Sequence, residues 1–252
     1  MAQRVGQLDK QSAEGSALAS ESVLRLVTHV RHALRLASQA RALSLSMADT
    51  IRFFASDYRS RLGFAERVLT ISVHGSRVLL RSNAVDCRVA AEVFGGIYAV
   101  QDNFNAQRII DLGANIGLAA LYFHLRYPSA HVACVEPSPR NLSVLRRVVA
   151  LNTLPATIFA CAIGTESGST FLYETDNPTC CHTLGNRMDK TERITVRQIT
   201  VPEIMDLLKW ELVDILKIDI EGYERILLRS NAHWLSRVSY IVGEIHEGYS
   251  FA

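Results

Sequence analysis

From residue 106 onward, short apolar runs alternate with helical segments, and that alternation leaves few folds open to the chain. Arg108-Ile-Ile-Asp-Leu, His131-Val-Ala-Cys-Val, Thr157-Ile-Phe-Ala-Cys-Ala-Ile, Val213-Asp-Ile-Leu-Lys-Ile-Asp and Val238-Ser-Tyr-Ile-Val-Gly-Glu-Ile read as strands. They are apolar on both sides, as strands of a covered parallel sheet must be. Between them, residues 117–126 form an apolar helix closed by Pro128, and a second helix runs to about Leu151 with Ser138 as N-cap and Pro139 at its first position. Thr200 and Glu203 have capping-box spacing for a helix through Lys209, and a further helix starts near Tyr223. Segments 169–173 and 193–199 read as added strands around a polar loop. The pattern predicts an α/β fold with a mostly parallel, doubly wound, Rossmann-like sheet covered on both faces. Right-handed crossovers then place a ligand at the carboxyl ends of the strands, near the point where strand order reverses.

The first 66 residues read differently, as an N-terminal helical extension. Residues 1–20 are polar. Residues 21–62 carry a helical period, with Val23, Leu26, Val27, Val30, Leu34 and Ala37 forming one apolar stripe. Arg25, Arg31, Arg35 and Arg41 fall on its polar side or margins. A basic amphipathic helix can lie on a membrane; the reading adopted is that it packs against its own domain or a partner subunit. From Val68 the period changes to two, and Val68–His74, Gly75-Ser76 and Arg77–Arg81 read as a β-hairpin. Residues 86–98 look helical, with Val89, Val93 and Phe94 on one side. The second domain is expected to span 67–252.

Asp111-Leu-Gly113-Ala114-Asn115-Ile-Gly117 follows a strand and opens a helix. Gly113 permits a tight turn that leaves backbone N–H groups facing a ligand, and Gly117 permits close helix–sheet packing. Asp111 would meet a ligand's ammonium group. The next strand ends in Glu136, where a carboxylate can accept both hydroxyls of a ribose. A nicotinamide dinucleotide site would show G-x-G-x-x-G with a helix start open to pyrophosphate. Here position 115 is Asn and an acid precedes the loop, which suits S-adenosylmethionine, a ligand with an ammonium, a sulfonium and no phosphate.

Two further clusters close strands. In Lys217-Ile-Asp219-Ile-Glu221-Gly222-Tyr-Glu224, Lys217 and Asp219 share one side of the strand, and charges ending a buried strand are unusual unless paired or functional. Helix-dipole acids explain Glu221 and Glu224 but not Lys217 and Asp219. Glu244-Ile-His246 ends the neighbouring strand and should lie near Asp219, with His246 or Asp219 the candidate base for a substrate hydroxyl. A metal-assisted variant would use Asp219, Glu221 and His246 as ligands; the spacing does not require a metal, and none is assigned.

Composition narrows the partners. The formal charge is only +2, without the basic stripe of a nucleic-acid binder. No apolar run is long enough to span a membrane, and the start lacks the apolar core of a signal peptide. Five cysteines, odd in number and without metal spacing, predict reduced thiols and a cytoplasmic location. Cys134 and Cys161 read as small core residues, and Cys180-Cys181 as loop thiols.

With these residues in hand, the chain resembles the FkbM-type methyltransferases. The resemblance covers about residues 68–247. It is carried by Val78-Leu-Leu-Arg, Asp86, Glu92-Val-Phe94 with Tyr98, Ile110-Asp-Leu-Gly-Ala-Asn-Ile-Gly, Val135-Glu-Pro-Ser-Pro-Arg-Asn-Leu, Ala162-Ile-Gly164, Leu216-Lys-Ile-Asp-Ile-Glu-Gly-Tyr-Glu and Val242-Gly-Glu-Ile-His. It implies a class I methyltransferase fold, S-adenosyl-L-methionine as cofactor, and O-methylation of a hydroxyl on a sugar, glycan or secondary metabolite. By position it implies that Gly113, Ala114, Asn115 and Gly117 form the methionine-side loop and that Glu136, beside Pro137, holds the ribose. Backbone around Cys161-Ala162 would meet the adenine, and Asp219 the sulfonium side, with Glu221 and His246 near the acceptor. Two departures stand out. Val201-Pro202 replaces the family's Leu-Asp, and the chain ends at Ala252 without the last two strands of that fold, which exposes the edge beyond the Val238 strand. The competing expectations are a non-catalytic or partner-dependent subunit with the same fold, joined through the N-terminal helices, and an NAD-dependent oxidoreductase.

Overall fold

A computed structural model describes residues 28, 30–41, 43–101, 103–174, 183–184, 192–230 and 233–246. Helix α1 covers residues 30–41 and α2 covers Met47–Arg61. A two-stranded hairpin follows, β1 (Val68–Val73) and β2 (Ser76–Arg81), and then α3 (Ala84–Phe94). The alternating region contributes β3 (Arg108–Leu112), α4 (Leu118–Arg126), β4 (His131–Val135), α5 (Pro139–Asn152) and β5 (Ala156–Phe159). Four strands, β6 (Ala162–Ile163), β7 (Gly168–Glu174), β8 (Thr183–Leu184) and β9 (Glu192–Ile199), form a separate sheet in the order β6-β9-β7-β8. The chain then returns through α6 (Val201–Leu208), β10 (Val213–Ile218), α7 (Glu224–Arg229), a 3-10 turn at His233–Arg237 and β11 (Val238–Gly243).

The main sheet is five-stranded and wholly parallel, in the order β11-β10-β3-β4-β5. The chain builds outward from β3 to β5 and then crosses back to lay β10 on the other side of β3. The reversal of order therefore falls between β3 and β10. Alternation along the strands sends Ile109, Cys134 and Ile215 into one core and Ile110, Leu112, Ala133, Leu216 and Ile218 into another. Both faces are covered, as the continuous apolar runs require. No helix among the described residues is long and apolar enough to cross a membrane.

Several sequence expectations shift in detail. The hairpin turn is His74-Gly75, one residue earlier than expected. Both residues have positive φ (48° and 84°), the geometry a two-residue turn needs to match the twist of its strands. The predicted strand over 157–163 is two: β5 joins the main sheet, while Ala162-Ile163 pairs with β9. The long helical period at 21–62 breaks at residues 43–46, where Ser46 Oγ accepts from Asp49 N at 3.1 Å and starts α2. Within α1 the expected stripe points the wrong way. Val30, Leu34 and Ala37 are exposed, whereas Leu36 and Ala40, with Leu43 just beyond, join Phe53 in the first core. Two apolar rows share this helix, and the packing partner on α2 selects between them. Val23, Leu26 and Val27 lie outside the described residues, as do Cys180 and Cys181 and most of the polar loop with Asn177, His182 and Asn186. Thr200 Oγ1 caps α6 by accepting from Glu203 N at 3.2 Å, but the Glu203 carboxylate turns to Arg197 and Ser167.

Candidate functional site

The carboxyl ends of β3, β4, β10 and β11 open into one cavity of about 610 Å³. Its walls include Gly113, Ala114 and Asn115 after β3, Glu136 and Pro137 after β4, Ala162 and Ile163 on β6, and Asp219 and Glu221 after β10. Lys217 on β10 and Glu244 and His246 after β11 also reach it, and α3 closes the far side with Arg88, Glu92 and Val93. Asp111, Gly117 and Cys161, all expected at the site, do not line it.

Asp111 is turned into the core. It stands in register with Lys217 across the β3–β10 ladder, so both side chains leave the sheet on the same face. Lys217 Nζ lies 3.0 Å from Asp111 Oδ1 and donates to the carbonyls of Gly113 (2.7 Å) and Leu112 (3.3 Å). Burial by itself would lower the ammonium's pKa. Asp111, Asp219 and Glu136 outweigh it, and the net shift is upward. Asp111 thus serves as counter-ion to a buried lysine rather than receiving a ligand's ammonium group.

The loop after β3 also spends its N–H groups differently from expectation. Gly113 N and Ala114 N both donate to Val135 O, at 3.0 and 2.9 Å, and Asn115 N donates to Glu136 Oε2 at 2.7 Å. Pairing with the end of β4 satisfies donors that would otherwise face the cavity. Gly113 (φ 75°) is needed for contact as well as for turning: a Cβ there would stand 1.9 Å from Asp219 O. Gly117 (φ 90°) packs closely on a helix, not on the sheet, for its Cβ would meet Leu145 Cδ1 of α5 at 2.7 Å.

Glu136 is buried and forms the hub of this half. Besides Asn115 N, its Oε1 accepts from Ser138 N (2.9 Å) and Asn141 Nδ2 (3.1 Å). A carboxylate has about four acceptor positions, so roughly one is left for a ligand, where two ribose contacts were expected. Burial raises its pKa and these hydrogen bonds pull it back only in part. Arg81 braces the same loop from the hairpin. It grips Asp86 through Nε and Nη2 (2.9 Å each), donates to Asn141 Oδ1 at 2.8 Å, and reaches Asn115 Oδ1 at 3.4 Å. Arg81 and Asp86 stand in the motifs that carry the family resemblance, but their role needed the fold, since 34 residues separate Arg81 from Asn115. Cys161 sits behind Ala162, and burial pushes its thiol up to about 11.

The opposite half carries acids in a looser setting. Asp219 follows β10 and accepts from Tyr98 Oη at 3.2 Å, with the Tyr98 ring over Lys217 Nζ. Glu221 has φ 56° and precedes Gly222 at 99°; a non-glycine residue in that region costs about 1 kcal/mol or more. His246 does come beside Asp219: one ligand-capable atom each from Asp219, Glu224 and His246 lie within 4.8 Å of one another. Nδ1 of His246 is 3.0 Å from Glu224 Oε1, and Nε2 is 3.7 Å from Glu221 and 3.8 Å from Glu244. Burial opposes protonation of His246, but the Glu224 hydrogen bond and the charges of Glu221, Glu224 and Asp219 raise its pKa overall.

Such a site has two kinds of chemistry side by side. A fixed carboxylate next to the apolar wall of Ala162, Ile163 and Leu172 can hold a polar group beside a flat ring. A partly exposed imidazole among carboxylates can take up a proton.

Comparison with known proteins identifies the family. The family model for the methyltransferase FkbM domain matches residues 111–252, more than half of the chain. The 31-O-demethyl-FK506 methyltransferase FkbM of Streptomyces tacrolimicus is 25% identical, over 55% of this chain and 65% of its own length. The hexuronic acid methyltransferase AglP of Haloferax volcanii is 26% identical, over 55% of each. The chain spans between 55% and 65% of the length of the curated relatives it matches. Among solved structures, a methyltransferase FkbM of Methylobacillus flagellatus covers 54% of this chain and 31% of its own, at 20% identity and a TM-score of 0.37.

Proposed function

The chain belongs to the FkbM methyltransferase family, and from that premise we propose that it is an S-adenosylmethionine-dependent methyltransferase acting on a hydroxyl of a sugar, glycan or secondary metabolite. The observation that carries the reading is the shared cavity, which brings the buried Glu136 hub and the open His246 cluster to one space. Its volume lies within the range of small-molecule and cofactor sites. The strand order β5-β4-β3-β10-β11 supports assigning the sheet to the class I methyltransferase fold.

The residues present fit the cofactor. Gly113, Ala114 and Asn115, whose N–H groups are taken by Val135 and Glu136, would border its methionine end with their remaining surface, Glu136 would hold one ribose hydroxyl, and Pro137, Ala162 and Ile163 its base. Asp219 would face the sulfonium side, with a carboxylate whose charge is already shared with Tyr98 and Lys217. When bound, S-adenosylmethionine supplies an activated methyl group, so the protein's task is mainly alignment. The side chains of Glu221, Glu244 and Glu92 would receive the acceptor's hydroxyls. His246 Nε2 would take the proton of the attacking oxygen and release it to solvent, for which its position at the partly exposed end of β11 is suited. Four carboxylates around this lobe (Glu92, Asp219, Glu221 and Glu244) favour a neutral, hydroxyl-rich acceptor over an anionic one. That the Streptomyces relative is a 31-O-demethyl-FK506 methyltransferase supports the O-methyl reading.

Calorimetric titration of the full chain with S-adenosylmethionine, S-adenosylhomocysteine and NAD tests the cofactor. Micromolar binding of both sulfur ligands and none of NAD is expected; failure to bind either sulfur ligand sinks the reading. Release of S-adenosylhomocysteine with a panel of neutral polyols tests turnover, and His246→Gln should lower it about 10²- to 10⁴-fold.

A further inference from the structure

Glu224 opens α7 and is fully buried, and it does not line the cavity. A carboxylate in that position needs partners, and it has them on both sides. Ile220 N donates to Oε1 at 3.1 Å, and Gly222 N lies 3.1 Å from Oε1 and 3.0 Å from Oε2. The third partner is His246 Nδ1, at 3.0 Å. Helix-dipole compensation accounts for an acid at this end of a helix, but not for a buried one joined to a histidine from another strand.

We propose that Glu224 is the positioning residue for His246, holding the imidazole with its proton on Nδ1 so that Nε2 is left as the free nitrogen toward the cavity. The logic is one of donors. The backbone N–H groups of Ile220 and Gly222 stabilise Glu224 as an anion, and an anion can only accept. Nδ1 must then be the protonated nitrogen in the neutral ring, as in the carboxylate–histidine pairs that fix a tautomer elsewhere. Nε2 faces Glu221 from the β10–α7 turn and Glu244 from the end of β11. Asp219, with Lys217 and Tyr98 behind it, completes the charged and titratable surroundings, and Glu92 of α3 adds to the field at Glu244. The net charge around the ring is negative and favours protonation of His246, with Glu224 the nearest of the acids that contribute. The Ile220 and Gly222 bonds also tie the strained Glu221 turn to the same carboxylate, which couples the base to the loop that carries the acceptor-side acids. The inference rests on the reading of His246 as the proton acceptor, and it adds the group that makes one nitrogen of the ring the basic one.

Nitrogen-15 NMR of the histidine side chains in the full chain tests it, with His246→Gln to assign the signals. In the native protein the neutral ring should show the Nδ1–H tautomer, and its titration midpoint should lie above that of an ordinary histidine. In Glu224→Gln the midpoint should fall by about one pH unit, while affinity for S-adenosylhomocysteine should stay within about twofold. A native neutral ring protonated on Nε2 overturns the proposal without recourse to any variant. So does a folded Glu224→Gln protein whose His246 keeps its midpoint and tautomer. Glu224→Asp, which keeps the charge but draws it back, should restore the elevated midpoint in part; no restoration counts against the assignment. Turnover that survives His246→Gln, with the Nδ1–H tautomer found in the native protein, would sink the base reading by itself, and with it the catalytic meaning of the pair.

Discussion

The two halves of the carboxyl edge of the sheet hold the same kinds of residue in opposite states. At the ends of β3 and β4, Asp111, Glu136 and the facing Lys217 are all less than 5% exposed, and their charges are met by one another or by backbone N–H groups. At the ends of β10 and β11, Asp219, Glu221, Glu244 and His246 are partly exposed and held by looser contacts at 3.2–3.8 Å. Glu224 and its bond to His246 are the exception, a piece of the first arrangement placed beneath the second. Tightly packed, buried charges facing one another give a rigid surface. Loosely paired, wetter ones can exchange protons and rearrange around a substrate. The difference separates a half made to hold a ligand still from a half able to do chemistry on it.

Breaking the rigid half should have the largest effect. Lys217→Met leaves Asp111 buried without its counter-ion and should destabilise the fold by about 3–5 kcal/mol in urea unfolding. Adding Asp111→Leu should recover most of that loss; if the single variant is as stable as the native chain, the ion pair is not what stabilises this half. Next comes Glu136→Gln, which keeps the shape but removes the charge shared by the loop and α5. It should weaken S-adenosylmethionine binding by about 10- to 100-fold, since hydrogen bonds to charged groups are worth about 1.5–3 kcal/mol each; unchanged affinity would move the ligand away from Glu136.

The open half should respond in the reverse sense, with small stability effects and larger ones on turnover. Glu221→Gly relieves the left-handed backbone at that position, so unfolding free energy should change by less than about 1 kcal/mol while methyl transfer drops. Equal turnover with glycine there would reduce Glu221 to a turn residue. The smallest effect is on pH. The folded state raises the pKa of His246, so its protonation stabilises the fold below the unfolded value of about 6.5, and this contribution is lost as pH rises through the elevated folded value. The stability gap between the native chain and His246→Gln should therefore be wider at pH 5.5 than at pH 9. A gap that grows with pH would reverse the sign of the shift.

Much of the edge could be read before folding because its signals are local. Strand limits at β3, β4 and β10, the Ser138 cap, the glycine loop and the order of the acids follow from periodicity and from what glycine, proline and serine permit. The orientation of α1 could not be read, because two apolar rows share it and the partner decides. Nor could the fate of Asp111: the strand pattern places it on a face, but only the register with β10 sets Lys217 beside it. The N–H groups of the glycine loop, and the acceptor position of Glu136 that Asn115 N takes, were assigned by pairing between β3 and β4, some twenty residues apart in sequence. Arg81 was visible only as part of a motif, and Glu224 only as an acid at a helix start, where its bond to His246 could not be seen.

The sequence by itself determined the α/β alternation, the parallel sheet and which strands end in charge, since these depend on side-chain period and backbone preference within a few residues. Tertiary structure alone decided which of those charges are spent on one another and which stay open to the cavity. Burial and pairing depend on the register and packing of segments more than a hundred residues apart, and it is burial and pairing that set whether a carboxylate holds a loop, balances a lysine or orients a histidine.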